Sequence, residues 1–385
     1  MKQLIAVTLL LLMTTPCLMA QKKELSQARS SIKSGKYADA EKTLTALLKD
    51  STNRTNKRIW LAYYDAVLGQ YEQGNEKLYL KQQYDTASFF AKALQMLTIA
   101  ETLDSLTTDN RKSLSQQLNA LRPNIFNGGS FLLRKNKWAD AYRYYEAYLD
   151  CARQPLFSDY HYLQQDTLMK HAAYWAAFTG YKENSPHHIL KYADLAMNDT
   201  ANVLFTLQYM SEAYRMLDDD TLYVKTLKRG FESSPEHVYF YPRLLDFYNS
   251  RQRYDEALEL SEEALTHNGQ SQLFLFGKST VLLNMGRNEE CLAISDSLIK
   301  MNPDFNEPYF NAGTALLNQV LPLEINRRAN RKKITALYTK ARPYMERYRQ
   351  LAPRQQDKWA PALYKIYLNL NMGKQFDEID KLLKK

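Results

Sequence analysis

The residues whose types and spacing could do chemistry are few in this sequence. Gly277-Lys278-Ser279-Thr280 has the composition of a phosphate-binding loop. That loop needs another glycine five residues before its Gly-Lys pair, on a turn between a strand and a helix. Position 272 is Gln272, and the segment falls in the middle of a predicted helix. The sequence therefore predicts no nucleotide site here.

The histidines and carboxylates form no recognisable catalytic or metal-binding pattern either. His187-His188 is the only adjacent histidine pair, and Ser185-Pro186 before it is typical of a helix start. Neighbouring residues on a helix point about 100° apart, which makes the pair a poor chelate. The sequence has no His-Glu-x-x-His, no paired cysteine spacing for zinc and no Gly-x-Ser-x-Gly elbow. We expect no catalytic residue, no metal and no cofactor, so a hydrolase or transferase is the weakest of the functional hypotheses.

The first twenty residues have the pattern of a secretory signal. Lys2 supplies the positive start, Leu4 to Met13 form a short apolar run, and Ala20 precedes the expected cleavage before Gln21. The run is shorter than the roughly twenty residues of a membrane-spanning helix. A lipid anchor on Cys17 is the alternative. We expect residues 1–20 to be cleaved and the mature chain to be exported to the periplasm, with association with the outer membrane as a further option.

Composition favours a helical protein built from repeats. The 385 residues include only 12 Gly and 12 Pro, too few for a chain of tight β turns, and 28 Tyr. Lys and Arg exceed Asp and Glu by nine, 51 against 42. Residues 305–385 alone hold 16 basic and 7 acidic residues, an excess of nine. The positive charge is therefore concentrated at the C-terminal end. Cys151 and Cys291 are expected to be buried free thiols.

A 34-residue period organises the middle of the chain. The segments that begin at Tyr254 and Asn288 lie 34 residues apart, and a third begins near Thr221. A helix with apolar residues at positions i, i+3, i+4 and i+7 precedes each of them, which is the amphipathic pattern. Proline follows the second helix at Pro235 and Pro303. Helix, turn, helix and proline in this period predict stacked helical hairpins.

This pattern resembles the tetratricopeptide repeat. Further matches begin with Gly35-Lys36-Tyr37, with Asn136-Lys137-Trp138 and with Gly373-Lys374-Gln375-Phe376. The resemblance implies an all-α fold, an α-solenoid superhelix of about nine such repeats. We expect degenerate repeats over residues 21–201, regular repeats over 202–304 and C-terminal repeats over 305–385, with linkers near 100–121 and 153–169. Small residues should lie at the close helix contacts and aromatic residues should cover the turns; the small residues are Ala40, Ala141, Ala257 and Cys291, and the aromatic residues are Tyr37, Trp138, Tyr254 and Phe376.

The resemblance also implies a binding groove lined by the first helix of each repeat. The candidate groove residues are Phe126, Tyr174, Phe178, Tyr181, Gln208, Glu212, Phe276, Thr280, Phe310 and Thr314. One group of the family grips C-terminal carboxylates with lysine and asparagine, but Phe276 and Thr280 stand at such a site here. We therefore expect an apolar groove for a peptide or protein partner. The alternative is that these aromatic residues only pack between neighbouring repeats.

A basic insertion over residues 319–337 interrupts the C-terminal repeats. It holds five cations in seven residues, namely Arg327, Arg328, Arg331, Lys332 and Lys333. Such a cluster suits an anionic lipid, an acidic protein or a polysaccharide, whereas nucleic acid is not expected for an exported chain. A solvated helix extension is the simpler explanation. The leading functional hypothesis is a protein-binding scaffold or adaptor in the cell envelope, and the alternative is a glycan- or ligand-capturing repeat protein at the outer membrane.

Overall fold

The computed structural model describes residues 21–384, which are mostly helical and contain no strand. The predicted signal segment and the alternative anchor at Cys17 lie outside these residues. The described chain forms two compact units, one ending at Tyr223 and one beginning at Val224. No helix in residues 21–384 is long and apolar enough to cross a membrane. The all-α expectation is confirmed.

The first unit is a succession of helices joined by short turns. They are α1 (21–33), α2 (Tyr37–Leu47), α3 (Lys57–Tyr79), α4 (Thr86–Leu106), α5 (Arg111–Leu133), α6 (Trp138–Asp150), α7 (Tyr162–Gln165), α8 (Met169–Lys182), α9 (Pro186–Lys191), α10 (Ala193–Ala196) and α11 (Val203–Met216). Consecutive long helices from α2 to α6 pack against each other, and α6 then packs on α8.

The second unit continues in the same way. Helix α12 (Asp220–Ser233) contains the boundary between the units. It is followed by α13 (Phe240–Ser250), α14 (Tyr254–His267), α15 (Gln272–Asn284), α16 (Asn288–Met301), α17 (Glu307–Val320), α18 (Arg327–Leu351), α19 (Gln356–Asn369) and α20 (Gly373–Leu383). Each helix from α13 to α20 packs on the next, and α13, α15, α17 and α19 also contact each other in that order.

In chain order the long helices of residues 21–384 form nine successive pairs, and a common turn joins eight of them. Each of these turns holds one residue in the left-handed conformation, with φ between 53° and 74°; the residues are Gly35, Lys81, Asn136, Asn184, Asp218, Gln252, Gly286 and Asn371. The backbone N–H of the following residue donates to the carbonyl group five residues back, at 2.8–3.0 Å. This is the Schellman cap, which satisfies the carbonyl groups at a helix end.

The turn residues also mark the period of the repeat. Asn184, Asp218, Gln252 and Gly286 follow each other at intervals of 34 residues. The next such turn is at Asn371, 85 residues after Gly286, which equals two periods of 34 and 17 further residues. The 34-residue spacing predicted from sequence is therefore confirmed in the middle of the chain, and the extra residues fall within the pair α17 and α18.

Small residues lie at the close helix contacts, as the pattern predicts. Ala40, Ala141, Ala257 and Cys291 are each 0% exposed. A Cβ atom added to Gly69 would lie 2.3 Å from the ring of Tyr37. Because a side chain cannot fit at that distance, the aromatic ring at the start of α2 packs directly on the backbone of α3. The packing role predicted for the four small residues is confirmed.

The linker expected near residues 100–121 is wrong. Helix α4 continues to Leu106 and α5 already begins at Arg111, so most of that stretch is helical. Helices α3, α4 and α5 have 23, 21 and 23 residues, whereas the regular first helices α15 and α17 have 13 and 14. The prediction assumed a constant 34-residue period. The surplus residues of these long helices therefore appeared to belong to a linker.

The connector between α6 and α8 is anchored by a buried arginine. It contains two 3₁₀ segments and the single turn α7. Arg122 on α5 is 4% exposed and lies between the rings of Tyr148 and Tyr162, each centroid 3.7 Å away. It donates to Asp166 at 2.5 Å, and the Tyr148 hydroxyl group donates to the same carboxylate at 2.6 Å. Burial alone would raise the pKa of Asp166, but these hydrogen bonds outweigh it and lower that pKa.

The two cysteines of the described chain are buried free thiols, as predicted. Cys151 donates to the carbonyl group of Ala147 at 3.2 Å. Burial raises the pKa of the Cys151 thiol to about 12, and it also raises the pKa of Cys291. Because thiolate is the reactive form, both side chains act as small apolar packing residues.

Candidate binding surfaces

The first candidate surface, called here the α15–α17 face, consists of Phe276, Thr280, Phe310 and Thr314. All four side chains are half-buried. Phe276 and Thr280 on α15 correspond to Phe310 and Thr314, which lie 34 positions later on α17. Helix α17 has no fully exposed residue and α15 has only Asn284, whereas the second helix α16 has six. The first helices of this unit are therefore lined by partly covered side chains. Such side chains can be buried further by a partner.

Hydrogen bonds hold α15 and α17 in register beneath this face. Asn311 is 4% exposed, and its side-chain amide donates to Ser279 Oγ at 2.8 Å and to Thr280 Oγ1 at 3.1 Å. Thr280 in turn donates to the carbonyl group of Phe276 at 3.0 Å. Buried polar groups need such partners, so Asn311 fixes the relative position of the two helices. The sequence pattern did not identify Asn311, because its partners lie 32 and 31 positions earlier in the chain.

Aromatic and cationic groups border the α15–α17 face. The ring of Phe276 lies 5.4 Å from that of Phe305, and the ring of Phe310 lies 5.3 Å from that of Tyr348. Lys358 Nζ stands 5.4 Å from the centroid of Phe310 and pairs with Glu307 at 3.3 Å. A partner that covers these rings would meet an apolar surface with a polar edge, which is the usual composition of a protein interface.

In the first unit, two of the predicted groove residues, Tyr174 and Glu212, are more deeply buried than the α15–α17 face. Tyr174 is 8% exposed. The ring of Phe126 lies 5.6 Å from the rings of both Tyr145 and Tyr148. These contacts agree with the packing alternative, since the rings fill space between helices α5, α6 and α8. Tyr174 therefore offers little free area to a partner, whereas Phe126 is half-buried, as Phe276 and Phe310 are.

Phe178 and Tyr181 on α8 are half-buried and lie against Tyr209 on α11. Tyr181 stacks on Tyr209 with ring centroids 4.9 Å apart. On α11, Gln208 is half-buried, while Glu212 is 9% exposed and accepts a hydrogen bond from Arg215 at 2.9 Å. The structure thus brings Phe178 and Tyr181 together and leaves Glu212 largely inaccessible.

The second candidate surface is the basic segment, which is helical and not a loop. Residues Leu321–Asn326 form a 3₁₀ segment, and the five cations occupy the first two turns of α18. Arg327, Arg328, Arg331, Lys332 and Lys333 are all exposed. Arg327 pairs with Glu324 at 3.2 Å. The expected insertion over 319–337 is therefore a helix extension preceded by a short turn.

The residues considered for catalysis make packing contacts and ion pairs within the fold. In the Gly-Lys-Ser-Thr segment, Ser279 is 0% exposed and lies 3.3 Å from Ser295 Oγ, and Lys278 pairs with Glu262 at 2.9 Å. His188 stacks on Tyr142 with centroids 3.8 Å apart and contacts Glu183. Residues 21–384 contain no group of three or more His, Cys, Asp or Glu placed to hold a metal ion.

Comparison with known proteins finds similarity only among solved structures. No family model matches the sequence. No curated protein matches it either. The C-terminal part of a TPR repeat-containing protein from Cytophaga hutchinsonii is 12% identical, with a TM-score of 0.47, and the match covers 66% of this chain and 93% of that one.

Two further structures give the same kind of match. A TPR repeats protein from Bacteroides fragilis is 16% identical over 68% of this chain and 98% of its own, with a TM-score of 0.33. Yeast Tom70 is 13% identical over 95% of this chain and 91% of its own, with a TM-score of 0.38. The repeat fold itself rests on the helix pairs, the recurring Schellman turns and the 34-residue spacing described above.

Proposed function

We propose that this chain, which has the helical-hairpin fold of tetratricopeptide-repeat proteins, is an exported scaffold that binds another protein through the α15–α17 face. The observation that carries the proposal is the pair of half-buried aromatic residues, Phe276 and Phe310, at equivalent positions of successive first helices. Their helices are already fixed by Asn311, so binding requires little ordering of this surface. Full burial of an exposed phenylalanine contributes about 1.5–3 kcal/mol, and covering each of these half-buried rings contributes a part of that free energy.

The expected ligand is an extended or helical peptide segment with apolar side chains. The spacing of Phe276 and Phe310 on neighbouring helices offers two anchor points, and Lys358 with Glu307 can hydrogen-bond to polar groups beside them. A few buried aromatic contacts usually dominate the free energy of such binding. The basic segment is a separate surface, and this function does not depend on it.

A displayed library of random peptides, selected on the immobilised mature chain, tests the proposal. Selected apolar peptides should bind the double variant Phe276→Ala/Phe310→Ala at least tenfold more weakly. The matched control is Tyr79→Ala, which removes an aromatic ring that is 85% exposed and lies in the first unit. Circular dichroism should show that all variants are folded. Equal binding by wild type and the double variant would eliminate the α15–α17 face as the binding site.

The exported location is tested separately. Expression of the full sequence in a bacterial host should yield a mature protein whose N-terminal residue is Gln21, found in the periplasmic fraction. A mature chain that retains Met1 in the cytoplasm would contradict the export part of the proposal while leaving the binding part intact.

A further inference from the structure

Two apolar side chains project from the turn that precedes the basic helix. Ile325 is 91% exposed and Leu321 is 65% exposed, although both belong to the short 3₁₀ segment between α17 and α18. Leu368, at the end of α19, is 51% exposed. Exposed isoleucine and leucine on a prominent turn contribute nothing to the core. Moving these side chains out of water, into a bilayer or against a partner protein, would be favourable.

The cations beside this turn are largely without acidic partners. Residues 319–340 contain six Lys or Arg and one Glu, a net charge of +5. Among residues 21–384, Arg327 pairs with Glu324, while Arg328, Arg331, Lys332 and Lys333 form no ion pair. No acidic residue lies in the first turn of α18. The start of a helix is itself electropositive, so the electrostatic energy of the cations at this end of α18 is unfavourable. An anion that binds here would lower that energy.

Two clefts flank the first turns of α18. One, with a volume of about 520 Å³, is lined by Arg327, Arg328 and Arg331 on one side and by Leu368 and Asn369 on the other. The second, of about 600 Å³, lies on a different side of α18. Lys333 and Lys340 line it together with apolar side chains, which include Leu323 and Leu337, and with three side-chain amides. Each cleft therefore combines cations with apolar walls, which suits an anionic group attached to a hydrocarbon chain.

We propose that the segment from Leu321 to Lys333 docks on an anionic membrane surface. Phosphate groups of lipids occupy the two clefts, and the side chains of Leu321 and Ile325 enter the boundary between headgroups and acyl chains. Clustered cations next to exposed apolar side chains are the combination that holds peripheral proteins at anionic bilayers. An acidic protein would neutralise the same charges, but it would leave the apolar side chains of the turn unexplained.

Sedimentation of the mature chain with lipid vesicles tests this proposal. The protein should bind vesicles of phosphatidylcholine containing phosphatidylglycerol, and it should not bind vesicles of phosphatidylcholine alone. Raised salt should weaken the binding because it screens exposed charges. The variant Arg328→Gln/Arg331→Gln should bind about 25-fold more weakly, from a loss of about fivefold for each cation. Ile325→Ser should weaken binding about tenfold, since one apolar side chain no longer enters the bilayer.

Matched variants separate this surface from net charge and from the peptide-binding face. Lys228→Gln/Arg229→Gln also removes two exposed cations of the same unit and should leave vesicle binding unchanged. Phe276→Ala/Phe310→Ala should bind vesicles as wild type does, so failure here and failure of the proposed scaffold function are distinguishable. Vesicle binding that is equal for Arg328→Gln/Arg331→Gln and its control, or that does not require the anionic lipid, overturns the proposal. Binding to poly-glutamate without binding to anionic vesicles assigns the segment to an acidic protein and also overturns it.

Discussion

The hydroxyl group of Tyr241 occupies the space that a side chain at Gly277 would need. A Cβ atom added to Gly277 would lie 2.1 Å from Tyr241 Oη. That hydroxyl group donates to Ser261 Oγ at 3.1 Å and lies 3.4 Å from the carbonyl oxygen of Phe274, so the hydroxyl group cannot move away freely. Helices α13, α14 and α15 therefore meet at one point, and the absence of a side chain at Gly277 permits the contact.

Gly277→Ala should destabilise the protein by about 1–3 kcal/mol, because the added methyl group overpacks this contact. Tyr241→Phe removes the nearest of the clashing atoms and should reduce the cost of Gly277→Ala in the double variant. Chemical denaturation of the four proteins gives the coupling free energy between the two positions. Strictly additive effects would show that the two side chains do not compete for the same space.

Gly286→Ala should destabilise the protein by about 1 kcal/mol, because its φ of +73° suits glycine and no atom lies within 4 Å to clash. Gln252 occupies the equivalent turn one period earlier with a φ of 56°. Gln252→Gly should therefore stabilise the folded state by up to about 1 kcal/mol, less the entropy that glycine adds to the unfolded chain. Denaturation midpoints measure both effects, and a destabilised Gln252→Gly would mean that strain at this turn is negligible.

Arg122→Met should destabilise the protein by about 3 kcal/mol, because Asp166 loses its buried partner and the two tyrosine rings lose the guanidinium between them. Arg134→Met, at an exposed position near the end of the same helix, is the control and should change stability little. Adding Asp166→Asn to Arg122→Met should recover part of the loss, since no unpaired carboxylate remains. Thermal unfolding measures the series, and a loss for Arg134→Met as large as that for Arg122→Met would refute the buried-pair explanation.

The same pair also predicts a loss of stability in acid. Because the pKa of Asp166 is lowered in the folded state, its contribution is present above the ordinary aspartate pKa of about 4 and is lost as the pH falls below it. The Asp166→Asn variant should therefore show a weaker dependence of unfolding free energy on pH in this range. A dependence identical to that of wild type would indicate that other carboxylates are responsible.

Buried tyrosines predict unfolding in alkali. Burial raises the pKa of Tyr145 and of Tyr241 to about 12, whereas an unfolded tyrosine titrates near 10. The folded state then retains protons that the unfolded state loses, so stability falls between about pH 10 and 12, by about 1.4 kcal/mol per pH unit for each such residue. Tyrosinate absorbance should rise together with the loss of helix. Ionisation of these tyrosines in a fully helical protein would contradict their burial.

The sequence predicted the helical hairpins because their period is carried by residues with a direct steric role. Ala257 and Cys291 lie at equivalent positions where only a small side chain fits, and Gly286 marks a turn that needs a left-handed residue. Other turns hold Lys81 or Gln252 in the same conformation, and their residue type gives no such signal. Local pattern therefore located the regular repeats and missed the lengths of α3, α4 and α5.

The candidate sites were predicted less completely, since they depend on contacts between distant residues. Phe276 and Phe310 were recognised from their spacing, but the hydrogen bonds of Asn311 to α15 require the folded arrangement of two helices. Likewise, the charges of Arg328 and Arg331 are visible in the sequence, whereas the cleft that they form with Leu368 involves a helix almost forty positions later. Arg122 resembles a surface residue in the sequence and is buried only because Tyr148 and Tyr162 enclose it.

The connection between α17 and α18 differs from the eight capped turns of residues 21–384 in that no left-handed residue fixes its geometry. The 17 additional residues of this pair, which lie in the connection and in the longer α18, leave α19 and α20 paired as a regular hairpin. A change of length here consequently does not propagate to the helices that follow. We therefore expect this junction to accept a change of length, and a reporter domain inserted here should leave the hairpins on both sides folded.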